Sequence, residues 1–444
     1  MKKDKIGIKK LEQESMQADK FQNIVRITLL LVLAGIPLVF VPLDISQGNF
    51  DQFFLPKVIV MFLLVLSSSI MFMLHYKEIE SFIEKDTTNK ALLVYYGLLV
   101  LSLFFTDNIS ISVFGRPDRS EGLVTISMYL ILFFMGRYIK DINYNFFKFV
   151  MATAVIVAIY GILQYFGIDP FPRNYRSINY GRSAFSTMGN PNFLGSYLVL
   201  MIPVSLYFYI FEKRKSGFLS YVVLFFCLLC TRTRGAWLGT ILSISCLVYL
   251  HFFYHKNIKN YIKRYITLII ISLIVILVFD FFSEGVLINR FTSISSDMME
   301  FLKNGENSDY AGSHRGFIWK RVIQLIKYRP LTGYGIENLG ETFLRYFKDD
   351  MFEFWGEIRY VDKAHNDFLN IAVTTGVPSL IVYLIFVLSV LKKGLSNAKN
   401  PVLLILLPSI SGYLAAIFFN ISVTSVAYVY WVFLGMAASN NLKI

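Results

Sequence analysis

Residues Arg264–Phe282 read RYITLIIISLIVILVFDFF. Between Arg264 and Asp280 no residue is charged, and the run has about the ~20 residues an α-helix needs to cross a bilayer core. Its apolar residues are continuous and do not alternate. That pattern predicts a helix and not a barrel strand, since a helix satisfies its own backbone groups inside hydrocarbon. Comparable runs recur near 23–43, 54–75, 90–106, 122–138, 146–166, 193–211, 217–231, 234–254, 367–391, 401–419 and 421–439. The expectation is an all-α integral membrane protein of about 12 transmembrane helices. It would comprise a basic tail (1–22), a nine-helix membrane region (23–282), a long loop carrying short helices (283–366) and a three-helix membrane region (367–439). No small-residue cleavage site follows the first run around Pro37 and Pro42, so it reads as a retained anchor.

The composition agrees. Of 444 residues, 55% are apolar and 16% charged, against about 25% charged in a soluble globular chain. The net charge of +13 needs no nucleic acid, because basic residues collect on the cytoplasmic loops of membrane proteins. Three cysteines make no disulfide framework. Cys227 and Cys230 form a CxxC inside the apolar run YVVLFFCLLC and read as small packing residues.

Orientation follows from the basic residues. With the N-terminus inside, the cytoplasmic segments hold Lys2, Lys3, Lys5, Lys9, Lys10 and Lys20, then Lys77, Lys85 and Lys90, and on to Lys392, Lys393, Lys399 and Lys443. The short external loops hold Lys57, Arg116, Arg119, Arg173, Arg176, Arg182, Arg232 and Arg234. The ratio is roughly three to one for an N-in, C-in topology. Loop 283–366 then lies outside.

This topology sorts the polar residues. Cytoplasmic loops are short and lysine-rich, and His75, His251 and His255 sit at cytoplasmic helix ends. External loops carry arginine set among Gly, Asn, Asp and Pro: FGRPDRSEG (Phe114–Gly122), GNPNFLG (Gly189–Gly195) and the tight turn TRTRG (Thr231–Gly235). Such arginines either snorkel to lipid headgroups or bind phosphate through their planar fork. The long loop contributes SHRGFIWKRVIQLIKYRPLTGYG (Ser313–Gly335) and VDKAHNDFL (Val361–Leu369). In the first, Ile318, Val322, Leu325 and Ile326 share a helical face, with Ser313 as a candidate N-cap and Pro330 as a stop. That face predicts a helix lying on the membrane surface or covering a cavity, or one that packs the loop. His314 and His365 are the external histidines, and His365 directly precedes the tenth span.

The turn TRTRG, the Arg315-x-x-x-Trp319 and PLTGYG segments, and HNDFLNIAVTTG (His365–Gly376) together resemble the bacterial O-antigen ligase/polymerase superfamily, as do GRPDRSEG and GNPNFLG. The resemblance covers about residues 110 to 390, in order. It implies transfer of a glycan from a polyprenyl-pyrophosphate carrier to an acceptor hydroxyl of a glycan, lipid or protein, at the external face of the bacterial cytoplasmic membrane. It implies no cofactor, nucleotide sugar or metal. Carried over residue by residue, the family's turn arginine falls on Arg234, its loop arginine on Arg315 and its histidine on His365. Arg232 and His314 are departures, and His314 leaves two histidines open as the base.

The chemistry suits those positions. Breaking a sugar–pyrophosphate bond places charge on the leaving oxygens, which preorganised guanidinium groups stabilise. A histidine can take the proton of the attacking hydroxyl. Arg234 and Arg315 are the expected pyrophosphate clamp and His365 the expected general base. Arg232, Arg116 and Arg119 are further candidates for the same anion. Two other readings compete. A transporter would carry charge or broken helices near the midplane of its spans, and the runs show neither. A metal-dependent glycosyltransferase would need an acidic pair, for which Asp44 and Asp51 are far apart and Asp349–Asp350 the substitute.

Overall fold

The computed structural model of the chain describes residues 20–42, 51–74, 86–171, 182–254, 258–285, 287, 299, 309–440 and 442. Residues 1–19 of the basic tail, Asp44, His75, Arg173, Arg176, His255 and most of 286–308 lie outside the described residues. Within them the chain is helical, without a β-strand. In order the helices are α1 (Lys20–Leu38), α2 (Phe54–Leu74), α3 (Thr87–Ser102), α4 (Ile109–Phe114), α5 (Leu123–Tyr138), α6 (Tyr144–Tyr165), α7 (Pro191–Ile210) and α8 (Lys215–Cys230). Then come α9 (Arg234–Tyr254), α10 (Ile262–Phe282), α11 (Ala311–Tyr328), α12 (Leu339–Trp355), α13 (Asp367–Thr375), α14 (Val377–Ser396), α15 (Leu403–Phe418) and α16 (Ala427–Ala437).

Seven of these, α1, α3, α6, α7, α9, α10 and α14, are long and apolar enough to cross a membrane. Helix α3 reaches that length with its continuation to Phe105, whereas the apolar stretch Phe54–Ile70 of α2 and the helices α5, α8, α15 and α16 are shorter and stand where the other spans are expected. The apolar residues are distributed as a lipid-facing bundle requires. In α10, Leu277 and Phe281 are 70% and 81% exposed, a cost in water that vanishes in hydrocarbon. Helix α7 is almost wholly enclosed by its neighbours. Close crossings of small residues hold the bundle: a Cβ on Gly239 of α9 would stand 2.5 Å from the Gly412 carbonyl of α15. Backbones approach this closely only where both helices offer a glycine.

The structure corrects two expectations. Residues 367–391 do not form one span. α13 ends at Gly376, whose φ of 92° breaks the helix, and α14 starts at Val377 with proline in its first turn. A Cβ at Gly376 would fall 2.3 Å from the Leu331 carbonyl, so the break seats the PLTGYG segment. For the amphipathic face of α11 the membrane-surface reading is the one corrected, and the loop-packing reading holds. Ile318, Val322 and Leu325 are buried with Leu339, Phe343, Phe347 and Met351 of α12, giving α11 and α12 a small core of their own.

Candidate active site

The turn between α8 and α9 is fixed from within. Thr231 Oγ1 donates to the Leu228 carbonyl at 2.7 Å and meets Thr233 Oγ1 at 2.7 Å, while Trp237 Nε1 donates to the same carbonyl at 3.3 Å. Arg232 holds a left-handed φ of 56°, the kind of backbone strain that persists where surrounding structure imposes it. Gly195 of GNPNFLG lets α7 approach the turn, because a Cβ there would be 2.4 Å from Thr233 Oγ1. In the same motif Asn190 caps α7, accepting from the Asn192 N–H at 2.8 Å.

Arg234 points across to the start of α11, where its Nη2 donates to Ser313 Oγ at 3.0 Å. Ser313 is therefore not the N-cap expected from the sequence. Gly312, Ser313 and His314 all have positive φ (64°, 60° and 68°), and regular helix begins only beyond them. Arg315 thus stands at a helix start. Around this junction lies a cavity of about 250 Å³, lined by Arg232, Arg234 and Arg315, by Gly235 and Ala236 at the N-terminus of α9, and by Asn192, Ser196, Asn420 and Phe419. No carboxylate lines it among the described residues. Three guanidinium groups and the positive ends of two helix dipoles meet there, an arrangement whose charge and geometry suit an anion. The convergence of helix ends was invisible in the sequence, because Asn420 and Ser196 belong to no motif that points to the arginine turn. Arg232 additionally stacks over the Tyr165 ring at 5.5 Å.

Arg116 and Arg119, expected on the same anion, do not line this cavity. Both Nε and Nη2 of Arg119 donate to Asp362 Oδ2, at 3.0 and 2.8 Å. Arg116 pairs with Asp118 at 3.1 Å and lies 4.4 Å over the Tyr360 ring. These arginines tie FGRPDRSEG to the segment that carries His365. Trp319 Nε1 holds the same segment from α11 by donating to the Ala364 carbonyl at 2.9 Å. Asn366 caps α13 through the Leu369 N–H at 3.0 Å.

His365 is half-buried with a φ of 50°. Burial, with the positive charge of Arg315 beside it, pushes its imidazole down to about 4, although Asp362 pulls the other way. The ring is therefore neutral at pH 7 and able to accept a proton. Burial would raise the Asp362 carboxyl, but Arg119 and His365 hold it below the usual range. Arg315 is the link: it lines the anion cavity and its charge reaches His365. His314 is placed differently, among the rings of Tyr310, Phe354 and Trp355 at 6.0, 5.7 and 6.4 Å. The acidic candidates are engaged elsewhere: Asp350 pairs with Arg321 at 3.1 Å, and Asp51 accepts from the N–H groups opening α2.

Sequence reading missed a buried ionic cluster behind the histidine. Lys363, Glu121 and Glu337 are 4%, 8% and 4% exposed. The Lys363 ammonium donates to Glu337 and lies 3.5 Å from Glu121 Oε2. Burial pushes the Glu121 carboxyl up to about 8 from its ordinary 4.5, only partly opposed by Lys363. The folded state thus binds more protons than the unfolded one between those values. Its extra stability is complete below about 4.5 and lost as pH rises through about 8. Melting temperatures of the protein in nanodiscs should fall across that window, and Glu121→Gln should flatten the curve; parallel curves would contradict this.

Comparison with known proteins agrees with the motif reading. The O-antigen ligase family matches residues 219–384, from α8 through the arginine turn and His365 into α14. A general O-oligosaccharyltransferase of Acinetobacter baylyi is 22% identical over 235 residues, which is 51% of this chain and 38% of that protein. This chain thus aligns with well under half the length of that relative. Residues 219–384 are thus similar to the O-antigen ligase family, in the stretch that carries the arginine turn and His365.

Proposed function

We propose that the protein is a membrane glycan transferase. It moves a glycan from a polyprenyl-pyrophosphate carrier to an acceptor hydroxyl at the external face of the bacterial cytoplasmic membrane. The observation that carries this reading is the acid-free cavity of Arg232, Arg234 and Arg315 with His365 beyond Arg315. The acceptor oxygen attacks the anomeric carbon of the donor and its proton passes to a ring nitrogen of His365. The bond between that carbon and the phosphate oxygen breaks, and its electron pair leaves on the pyrophosphate. The charge gathering there meets guanidinium groups already in place, so stabilisation increases toward the transition state. A site at the end of a bundle of apolar helices suits a donor with a polar head and a lipid tail.

The direct test reconstitutes the protein with a polyprenyl-pyrophosphate glycan and an acceptor, and follows release of the bare carrier. Uptake of a solute into proteoliposomes without such release would favour a transporter. The face is tested separately. In an N-in, C-in topology, single cysteines at Asn108 and Lys348 should react with an impermeant maleimide in intact spheroplasts. Labelling seen only after lysis would place the site on the cytoplasmic side.

A further inference from the structure

The cavity wall opposite the arginines is polar but uncharged. Asn420, at the end of α15, is 5% exposed, and Ser196 on α7 is 3% exposed. Ser196 follows Asn192 by four residues, so the two lie on one face of α7, the face that Gly195 brings against the arginine turn. Both line the cavity, as does Asn420. The arginine side is partly engaged, with Arg234 on Ser313, Arg232 on Tyr165, and Thr231 on Thr233. By contrast, the side chains of Asn192, Ser196 and Asn420 have no hydrogen-bond partner among the described residues. Their amide and hydroxyl groups are thus open to hydrogen bonds from a ligand in the cavity.

That ligand is not more phosphate. A diphosphate accepts hydrogen bonds and carries negative charge, and the arginines already supply what it needs. Amides and hydroxyls both donate and accept, which matches the hydroxyls of a neutral sugar ring. Pro191, Ala236, Ala416 and Phe419 in the same lining offer apolar surface to the ring's C–H face. We propose that Asn192, Ser196 and Asn420 form a subsite for the sugar bonded directly to the pyrophosphate, so that the cavity reads the first residue of the glycan as well as its carrier. The inference rests on the donor reading given above. It makes the amides specificity-determining, since a site built to hydrogen-bond a hydroxyl discriminates strongly against sugars that misplace it.

The test uses the full chain in nanodiscs and four ligands: undecaprenol, undecaprenyl pyrophosphate, and the latter bearing one N-acetylglucosamine or its galacto epimer. Wild type should bind at least one sugar-bearing lipid about tenfold more tightly than the bare pyrophosphate, the worth of one or two hydrogen bonds. Asn420→Leu and the milder Asn192→Ala should remove that advantage while leaving affinity for the bare pyrophosphate within about twofold. Arg234→Ala should weaken all pyrophosphate lipids alike. Equal losses on bare and sugar-bearing lipids in the asparagine variants, or no loss at all, would overturn the subsite while leaving the arginine clamp intact. Wild type binding undecaprenol as tightly as its pyrophosphate would instead overturn the donor reading, and the subsite with it.

Discussion

Arg234→Lys should lose nearly as much transfer activity as Arg234→Ala, each by about 10²–10³ in turnover, the scale seen when one preorganised donor is removed from a developing anion. The reason is geometric. Arg234 opens α9 from a turn fixed by Thr231, Thr233 and Trp237, and its guanidinium already reaches Ser313 across the cavity mouth. A planar fork held in this way can present two parallel N–H groups to a phosphate. Lysine keeps the charge but offers a flexible point donor that must be ordered at each turnover. An arginine serving only to anchor the helix end in lipid headgroups would tolerate lysine, because snorkelling asks for charge and reach but not for planarity. Transfer rates of both variants at matched membrane levels separate the two roles, and a fully active lysine variant would assign Arg234 to the anchor.

Much of the architecture is legible in the sequence because membrane crossing is a local property: a long uncharged apolar run such as 264–282 has few other fates. The break at Gly376 is not legible in that way. FLNIAVTTGVPSLIVYL carries no charged residue, and membrane helices often tolerate glycine and proline. Only the approach of the Leu331 carbonyl shows that the backbone must turn there. Site residues divide along the same line. Arg234, Arg315 and His365 stand in motifs whose order along the chain carries information. Arg119 looked like an equal candidate for the anion, yet it spends its guanidinium on Asp362, a partner 243 residues away. No periodicity reports a contact of that separation. Asn420 is the converse case, an unremarkable residue in sequence that folding brings against the arginine turn.

His365→Ala should lower turnover by about 10²–10⁴, the usual worth of general-base assistance, while leaving affinity for the pyrophosphate carrier nearly unchanged. His314→Ala should keep most activity. The environments of the two histidines motivate the difference. His314 is packed among the rings of Tyr310, Phe354 and Trp355, whereas His365 lies next to Arg315 on a segment pinned by Arg119, Trp319 and the α13 cap. The pH dependence gives a second check with a definite sign. Because burial and Arg315 hold the free imidazole down to about 4, kcat/KM, which reports the free enzyme, should stay level as pH falls through 6.5 and drop only near 4. Once donor is bound, its pyrophosphate adds negative charge beside Arg315 and favours the imidazolium, so the acid limb of kcat should lie at higher pH than that of kcat/KM. If His314→Ala is the inactive variant and His365→Ala turns over normally, the base is His314 and the assignment of His365 is wrong.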